Sequence, residues 1–511
     1  VRKAKIWAVP AALFAFSLAC SLAGLDFGWH WDEDWVLAPL ADAVRRHSFL
    51  PGRYLRPSLC FDLAFAALIP TALRSAWLHG VAGSAGRLAE VCMSSSFRLG
   101  LRAVFAAVSC AGVFAVYKLA LDLVEDGACA ALAAALFALS WEFGYHSRWI
   151  APDALMTALA AASMAFAFAK DAGPRGRPWA AAAAGLACGA KYTAGLLMAP
   201  ILWSYLSEPA GRRRDAGREP GILWLVFGGV YLLTTPGTVL EPAAFMGALS
   251  AQRAAYAGVG ELGYAYVVPA GVPHFHLIVD YLSRALFSRY ADVSLALFAL
   301  VPVGAWSLLR REPRRGAAFL SFPVLYVAAF GLSRLMIVRN LLILLPFLAV
   351  LAAAGAREIH ARAFAGKAYR LAWPALLAGL LAVEAAWLAA AAWSVYARRR
   401  MDYAVDLADF VDSRPATTFR LSPLAVARLA AEDEKSRNNI SLVDSSGETL
   451  AAFFISEAKD EELPANRLSD VIDWFGPADV NPVYYPTWRA NNHILVVPID
   501  VARRLGVFAP R

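Results

Sequence analysis

Apolar runs of roughly 16 to 25 residues, separated by short polar clusters, recur from Ile6 to Val395. That is the length and spacing of helices that cross a bilayer. The pattern predicts helices over Ile6–Leu25, Leu99–Leu119, Ala128–Phe143, Ala154–Ala169, Ile222–Leu240, Val293–Leu309, Ala317–Leu332, Val338–Ala356 and Leu371–Val395. The block Trp179–Tyr205 is too long for one untilted span and is broken by Gly189 and Lys191, which predicts two short helices with Lys191 at the turn. The bundle therefore has about 11 transmembrane helices. A large first outer loop runs from Asp26 to near Phe97 and carries an amphipathic stretch over Leu40–Phe49. It also holds an apolar run, Ser58–Leu78, containing Asp62 and Pro70. This run is read as an element that dips into the membrane, because a full span would invert the sidedness of everything after it. A second outer segment spans Glu241–Asp292.

Beyond Ala397 the pattern changes. Charge rises, helical runs end, and Ile440–Val443 and His493–Val497 alternate as strands do. The division expected is a transmembrane domain over 1–396 and a small soluble α/β domain over 397–511. Basic clusters assign the sides. Lys170 with Arg175 and Arg177, Arg212–Arg214 with Arg218, Arg310–Arg315, and Arg357–Arg370 all fall in turns read as internal. The N-terminus is then cytoplasmic and the C-terminal domain periplasmic, with Arg398–Arg400 on the side the rule disfavours.

Composition narrows the class. The chain of 511 residues is 59% hydrophobic and 17% charged, with a mean hydropathy of +0.51, which excludes an ordinary soluble protein. Its net charge of +8 sits between apolar runs, so it reflects membrane orientation rather than a nucleic-acid partner. None of the six cysteines forms a CxxC pair, which argues against a zinc or redox site. Cys60 and Cys92 share the first outer loop, where a disulfide is one arrangement open to them. The first apolar run follows Arg2, Lys3 and Lys5 without a small-residue cleavage site before Trp29, so it is read as a retained helix. Val1 suits a literally translated GTG codon, and Ala/Arg-rich usage suits a GC-rich bacterium, giving a bacterial plasma (inner) membrane as the expected location. No internal repeat is evident, which weighs against a secondary transporter built from duplicated halves.

The strongest candidate chemistry is His30-Trp31-Asp32-Glu33-Asp34, directly after the first helix. Adjacent carboxylates raise one another's proton affinity, which suits a general base; a solvated acidic loop is the plainer alternative. A second candidate is Arg148 with Asp153, at the junction of two helices, where Pro152-Asp153 also makes an ordinary helix start. Lys191, Arg334 and Arg339 are cations inside apolar runs, placed to meet a lipid phosphate or to snorkel to the interface. His274 and His276 would share one face of a strand but have no third ligand nearby in sequence. Tyr484–Trp488 is an aromatic run suited to sugar contact or plain packing.

Taken in order, these segments resemble the GT-C glycosyltransferases, specifically the family 39 group of protein O-mannosyltransferases and bacterial relatives such as the lipid A aminoarabinose transferases. The resemblance spans roughly Ile6–Ala356. It rests on His30-x-Asp32-Glu33, on Arg56-Pro57 opening the dipping segment, and on Ser147-Arg148 followed by Asp153. It rests also on Gly185 through Tyr192 and on Arg339-Asn340-Leu341-Leu342 through Pro346. Asn340 stands where the family usually has Tyr, Arg56 in place of a Pro, and Trp31 where Pro is common.

The resemblance implies an inverting hexosyl or pentosyl transfer from a polyprenyl-phosphate sugar to a hydroxyl on a lipid, glycan or protein at the outer face of the membrane. Asp32 would be the general base, Glu33 would position donor or acceptor, and Asp34 would be the reserve base. Arg148, Lys191 and Arg339 would stabilise the leaving phosphate, with His30, Asp153 and Arg334 in the binding set. No cofactor is expected: the leaving phosphate is singly esterified, so a divalent metal is not implied. The alternatives are a lipid or solute transporter or flippase without transferase activity, and a non-catalytic relative whose tail does the binding.

Overall fold

The computed structural model describes residues 7–27, 30, 32–80, 84–170, 175–207, 218–259, 267–364, 371–398, 418–421, 449–454, 473–475 and 494–504. The chain divides into two compact units, residues 1–22 with 31–389, and residues 23–30 with 390–511.

The first unit is helical. Among its described residues, the helices at Leu59–Leu78, Ser95–Val124, Ala291–Arg311 and Val338–Ala363 are long and apolar enough to cross a membrane. So is Ala372–Ala397, which continues into the second unit. Shorter apolar helices occupy Ala8–Leu22, Gly127–Ala138, Pro152–Ala167, Tyr192–Leu206 and Glu219–Thr234. Burial separates their roles. The Val338–Ala363 stretch is 89% buried and forms the axis of the bundle, whereas Leu59–Leu78 and Ala372–Ala397 are only 28% buried and turn apolar side chains outward. The axis tolerates close neighbours because its facing residues are small. A Cβ on Gly304 would overlap the Leu351 carbonyl, and one on Gly355 would overlap the Leu300 carbonyl. Gly355→Val is therefore expected to lower the thermal midpoint in detergent by several degrees, with a cost of about 1–3 kcal/mol from overpacking. An unchanged midpoint would show that the Leu300–Arg311 helix can slide away at little cost.

The block around Lys191 divides where Gly189 and Lys191 interrupt it. A helix over Gly176–Ala190 ends at Lys191, whose extended backbone leads into a 3₁₀ turn over Tyr192–Leu197 and a short helix over Met198–Leu206. Other predicted spans are split. Ile222–Leu240 is a helix over Glu219–Thr234 and a short one over Gly237–Leu240. Val338 opens a 3₁₀ turn to Leu344 before the helix over Leu345–Ala363.

The Ser58–Leu78 run is one helix, Leu59–His79, with Pro70 inside it. By length and composition it could cross a membrane. The Asp34–Arg45 helix, which precedes it, packs against both it and the Ala85–Met93 helix that follows it within a few residues.

The strand considered for His274 and His276 is not formed. The second outer segment contains helices over Pro242–Tyr256 and Val272–Arg284. His274 and His276 lie on the latter, not on a strand, so His274 is buried and His276 exposed. Positions i and i+2 of a helix face different ways, and among the described residues no cluster of ligands suits a metal. Cys60 and Cys92 are both buried and both free, because each is held in the interior of its own helix.

In the second unit the described residues include a four-stranded sheet in the order β1-β2-β4-β3. Its strands are β1 Thr418–Leu421, β2 Thr449–Phe454, β3 Asp473–Phe475 and β4 Ile494–Pro498. β1 runs parallel to β2, and β4 runs antiparallel to both β2 and β3. A short helix, Ile499–Arg504, follows β4. β4 covers most of the expected His493–Val497 strand; Ile440–Val443 and Tyr484–Trp488 lie outside the described residues.

Candidate active site

The three adjacent acids diverge as the chain enters the Asp34–Arg45 helix. Asp32 is fully buried and its two carboxylate oxygens take separate partners, one from Arg56 and the other from Arg339. Glu33 is also fully buried. Arg102 donates to both of its oxygens at 2.7 Å, the Ile150 amide donates to one at 3.3 Å, and Arg98 lies 3.7 Å away. Asp34 is half-buried in the first turn of the helix, where the exposed amides favour negative charge.

Beside Asp32 lies a cavity of about 250 Å³. Its lining brings together segments far apart in sequence: Leu55–Pro57, Asp153, Lys191–Thr193, Leu249 to Tyr256 of the Pro242–Tyr256 helix, and Ile337 to Asn340. Four cations, Arg56, Lys191, Arg253 and Arg339, face one carboxylate there, Asp153. Pro152 and Asp153 open the Pro152–Ala167 helix. Asp153 receives a 2.5 Å hydrogen bond from Lys191 and lies 3.9 Å from the Arg339 guanidinium. Lys191 donates a second bond, of 2.5 Å, to the side-chain oxygen of Asn340. An ammonium has three hydrogens, so two of its donors are committed to these partners. Gly189 lets the Glu219–Thr234 helix approach this turn, since a Cβ there would overlap Thr234 Oγ1.

The strap carrying Arg56 is fixed from three directions. Tyr54 donates to Glu241 at 2.6 Å, Tyr192 donates to the Tyr54 carbonyl at 2.8 Å, and Gln252 donates to the Leu55 carbonyl at 2.7 Å. Burial first, and then the bond to Glu241, push the Tyr54 phenol well above its ordinary range, so it remains a donor. Arg56 also lies over the Trp35 ring, 5.8 Å from its centroid.

The expected residues thus separate into two groups. Asp153, Lys191 and Arg339 line the cavity, and Asp32 lies directly behind Arg56 and Arg339. Glu33 is not at the cavity: bidentate pairing with Arg102 buries it as an anchor between helices. Arg148 is buried but not in the lining, and lies near the Cys20 thiol. Arg334 is exposed, and its backbone bonds to Tyr256 and Val268 hold the approach to Arg339. His30 is buried and belongs to the second unit. Tyr54, Gln252, Arg253 and Tyr256 were not anticipated. Their signal was weak, since the Pro242–Tyr256 helix exposes most of its residues and lacks a clear apolar stripe.

Residues 89–239 match the family model described as dolichyl-phosphate-mannose-protein mannosyltransferase. Over that span the chain is similar to a family of membrane glycosyltransferases. The matched span contains Asp153 and Lys191 of the cavity and ends before Arg339. No curated protein matches the chain. Among solved structures it is similar to ArnT from Cupriavidus metallidurans bound to undecaprenyl phosphate, at 12% identity and a TM-score of 0.47, covering 95% of this chain and 97% of that one. It is similar also to the apo oligosaccharyltransferase of Archaeoglobus fulgidus, at 12% identity and a TM-score of 0.45, covering 85% of this chain and 60% of that one. A third similar structure is AglB from Archaeoglobus fulgidus with an inhibitory peptide and a dolichol-phosphate, at 11% identity and a TM-score of 0.43, with the same two coverages.

Proposed function

We propose that the protein is a GT-C-type membrane glycosyltransferase that moves a sugar from a polyprenyl-phosphate donor to an acceptor hydroxyl at the outer face of a bacterial inner membrane, with inversion at the anomeric carbon. The observation that carries the reading is the cavity's charge: four cations line it at the ends of apolar helices, against Asp153 in the lining and Asp32 behind Arg56 and Arg339. Such an excess suits a lipid phosphate, which needs charge-assisted donors close to the membrane. The description of the matching family model names the same donor class.

In the proposed reaction the acceptor oxygen forms a bond to the anomeric carbon while its proton passes to Asp32. The bond from that carbon to the phosphate oxygen breaks, and its electron pair leaves on the polyprenyl phosphate. Lys191 and Arg339 meet the charge that grows there. In the structure both Asp32 oxygens are held by guanidinium groups. Arg339 also faces the cavity, so a donor phosphate competes with Asp32 for it. Donor binding is thereby the step that frees an Asp32 oxygen to accept a proton. The tail from Ala397 is proposed as a periplasmic soluble domain, with the N-terminus cytoplasmic.

The test is transfer by the purified chain from a panel of polyprenyl-phosphate sugars into a membrane extract of the host. Lys191→Gln is expected to weaken binding of undecaprenyl phosphate about tenfold, as loss of one charge-assisted contact should. Absence of transfer from every donor, together with undiminished lipid binding in Lys191→Gln, would sink the reading.

A further inference from the structure

We infer that the end of the bundle opposite the cavity carries a binding site for the headgroup of an anionic phospholipid, built from Arg310 and Arg362 around Trp306. The inference stands apart from the donor class proposed above, because it uses other residues at the other membrane face. The Val338–Ala363 stretch sets the two places apart. Arg339, near its start, lines the cavity, and Arg362 lies near its end. Its 26 residues rise about 40 Å, enough to pass from one face of a bilayer to the other.

Trp306 is exposed near the end of the apolar Ala291–Arg311 helix, where an indole marks the depth of the lipid headgroups. The Arg362 guanidinium lies over its ring, 4.5 Å from the centroid, and that of Arg310 lies 5.4 Å from it. A guanidinium over an indole spends its face on the ring and keeps its in-plane N–H groups for oxygen acceptors, a fork that fits phosphate. Arg362 commits Nε to Glu358 at 2.6 Å. Among the described residues, its terminal nitrogens and the Arg310 guanidinium donate to no protein acceptor, and both residues are exposed.

Local charge favours an anion. Buried Glu358 accepts from Ser307 at 2.8 Å and from Arg311 and Arg362 at 2.6 Å each. Arg310, Arg311 and Arg362 are thus set against a single carboxylate. Glu312, next along the chain, is held by Arg315 at 2.9 Å. The surface beside the arginines selects a lipid over a free ion. Leu295, Ala299, Pro302, Trp306 and Arg310 are all exposed at helical spacing, so they share one face of the helix. That face is an apolar track ending in a guanidinium, which matches an acyl chain ending in a phosphate. Arg310 and Arg362 also belong to two neighbouring helices, the usual setting for headgroup recognition by basic side chains.

The test measures dissociation constants of the purified full chain in detergent for phosphatidylglycerol and for phosphatidylcholine, by native mass spectrometry. Wild type is expected to bind phosphatidylglycerol about tenfold more tightly, the effect of one charge-assisted contact. Arg310→Gln and Arg362→Gln should each remove most of that preference. Arg310→Lys keeps the charge without the planar fork and should lose about as much as Arg310→Gln. Arg314→Gln removes an exposed charge from the same end of the bundle and should change the preference less than about twofold. Inorganic phosphate at the concentration of the lipid should displace none of it. A wild type without preference would overturn the inference. So would an Arg310→Lys protein that keeps the full preference, or equal losses in Arg310→Gln and Arg314→Gln, since either result would reduce the site to diffuse positive charge. Displacement by inorganic phosphate would overturn it in favour of a free-ion site. Each of these results leaves the donor class standing, because no residue of the cavity is changed.

Discussion

Asp32→Asn is expected to reduce sugar transfer on the order of a hundredfold or more, the usual contribution of a positioned general base. The amide keeps the shape of the carboxylate but cannot take a proton from the acceptor. The same change removes the negative charge between Arg56 and Arg339, so stability must be measured alongside activity. Two guanidinium groups left facing a neutral amide cost free energy, and loss of fold would imitate loss of catalysis. The decisive comparison is therefore made at a temperature where wild type and variant are equally folded and both bind undecaprenyl phosphate. Under those conditions a large fall in rate with donor affinity retained supports Asp32 as the base. Equal rates in the two proteins would remove that role and turn attention to Asp34 or Asp153.

The second large effect is on the fold. Arg102 and Glu33 are 2% and 0% exposed and meet through a two-pronged contact. Arg102→Leu would leave the Glu33 carboxylate buried with its main partner gone. Breaking a buried pair in this way costs about 3–5 kcal/mol, which should appear as a large drop in the unfolding midpoint in detergent. Replacing both residues with apolar ones, Glu33→Leu with Arg102→Leu, should recover part of the loss, because the buried carboxylate is removed, while Arg98 gives up its neighbour at 3.7 Å. A fall of less than about 1 kcal/mol in the single variant would mean that Glu33 is accessible to water and is not the anchor described.

The sequence made the helices and the isolated charges legible, because both are local signals. Lys191 in the middle of an apolar run announces a break, and the break occurs there. What periodicity cannot carry is pairing at a distance. Asp32 and Arg339 each stood out alone, yet nothing in either segment tells that they meet across 307 positions. Arg56 appeared as a departure from a familiar motif rather than as the second partner of Asp32. Neighbouring residues were harder still: three consecutive carboxylates looked like one acidic feature, but the turn into a helix sends them to three different surroundings. His274-Phe275-His276 imitates a strand in its alternation. The helical signal was the wider spacing of His274, Ile278 and Tyr281, all buried, after Pro273 in the first turn.

The buried axis of the bundle has a consequence for how the protein is made. Its central helix, Leu345–Ala363, comes after most of the elements it supports, including the Gly127–Ala138 and Leu300–Arg311 helices packed on it. Phe319 and Phe322 likewise rest on Phe347, with ring centroids 5.3 and 4.7 Å apart. These earlier helices are synthesised before their common partner, so their contacts with Leu345–Ala363 form only once it has followed them. Arg339 arrives on the turn that leads directly into that helix. Assembly of the cavity is therefore tied to a late segment of the chain, and a nascent chain interrupted before residue 339 carries Asp32, Asp153 and Lys191 without the Arg339 that lines it with them.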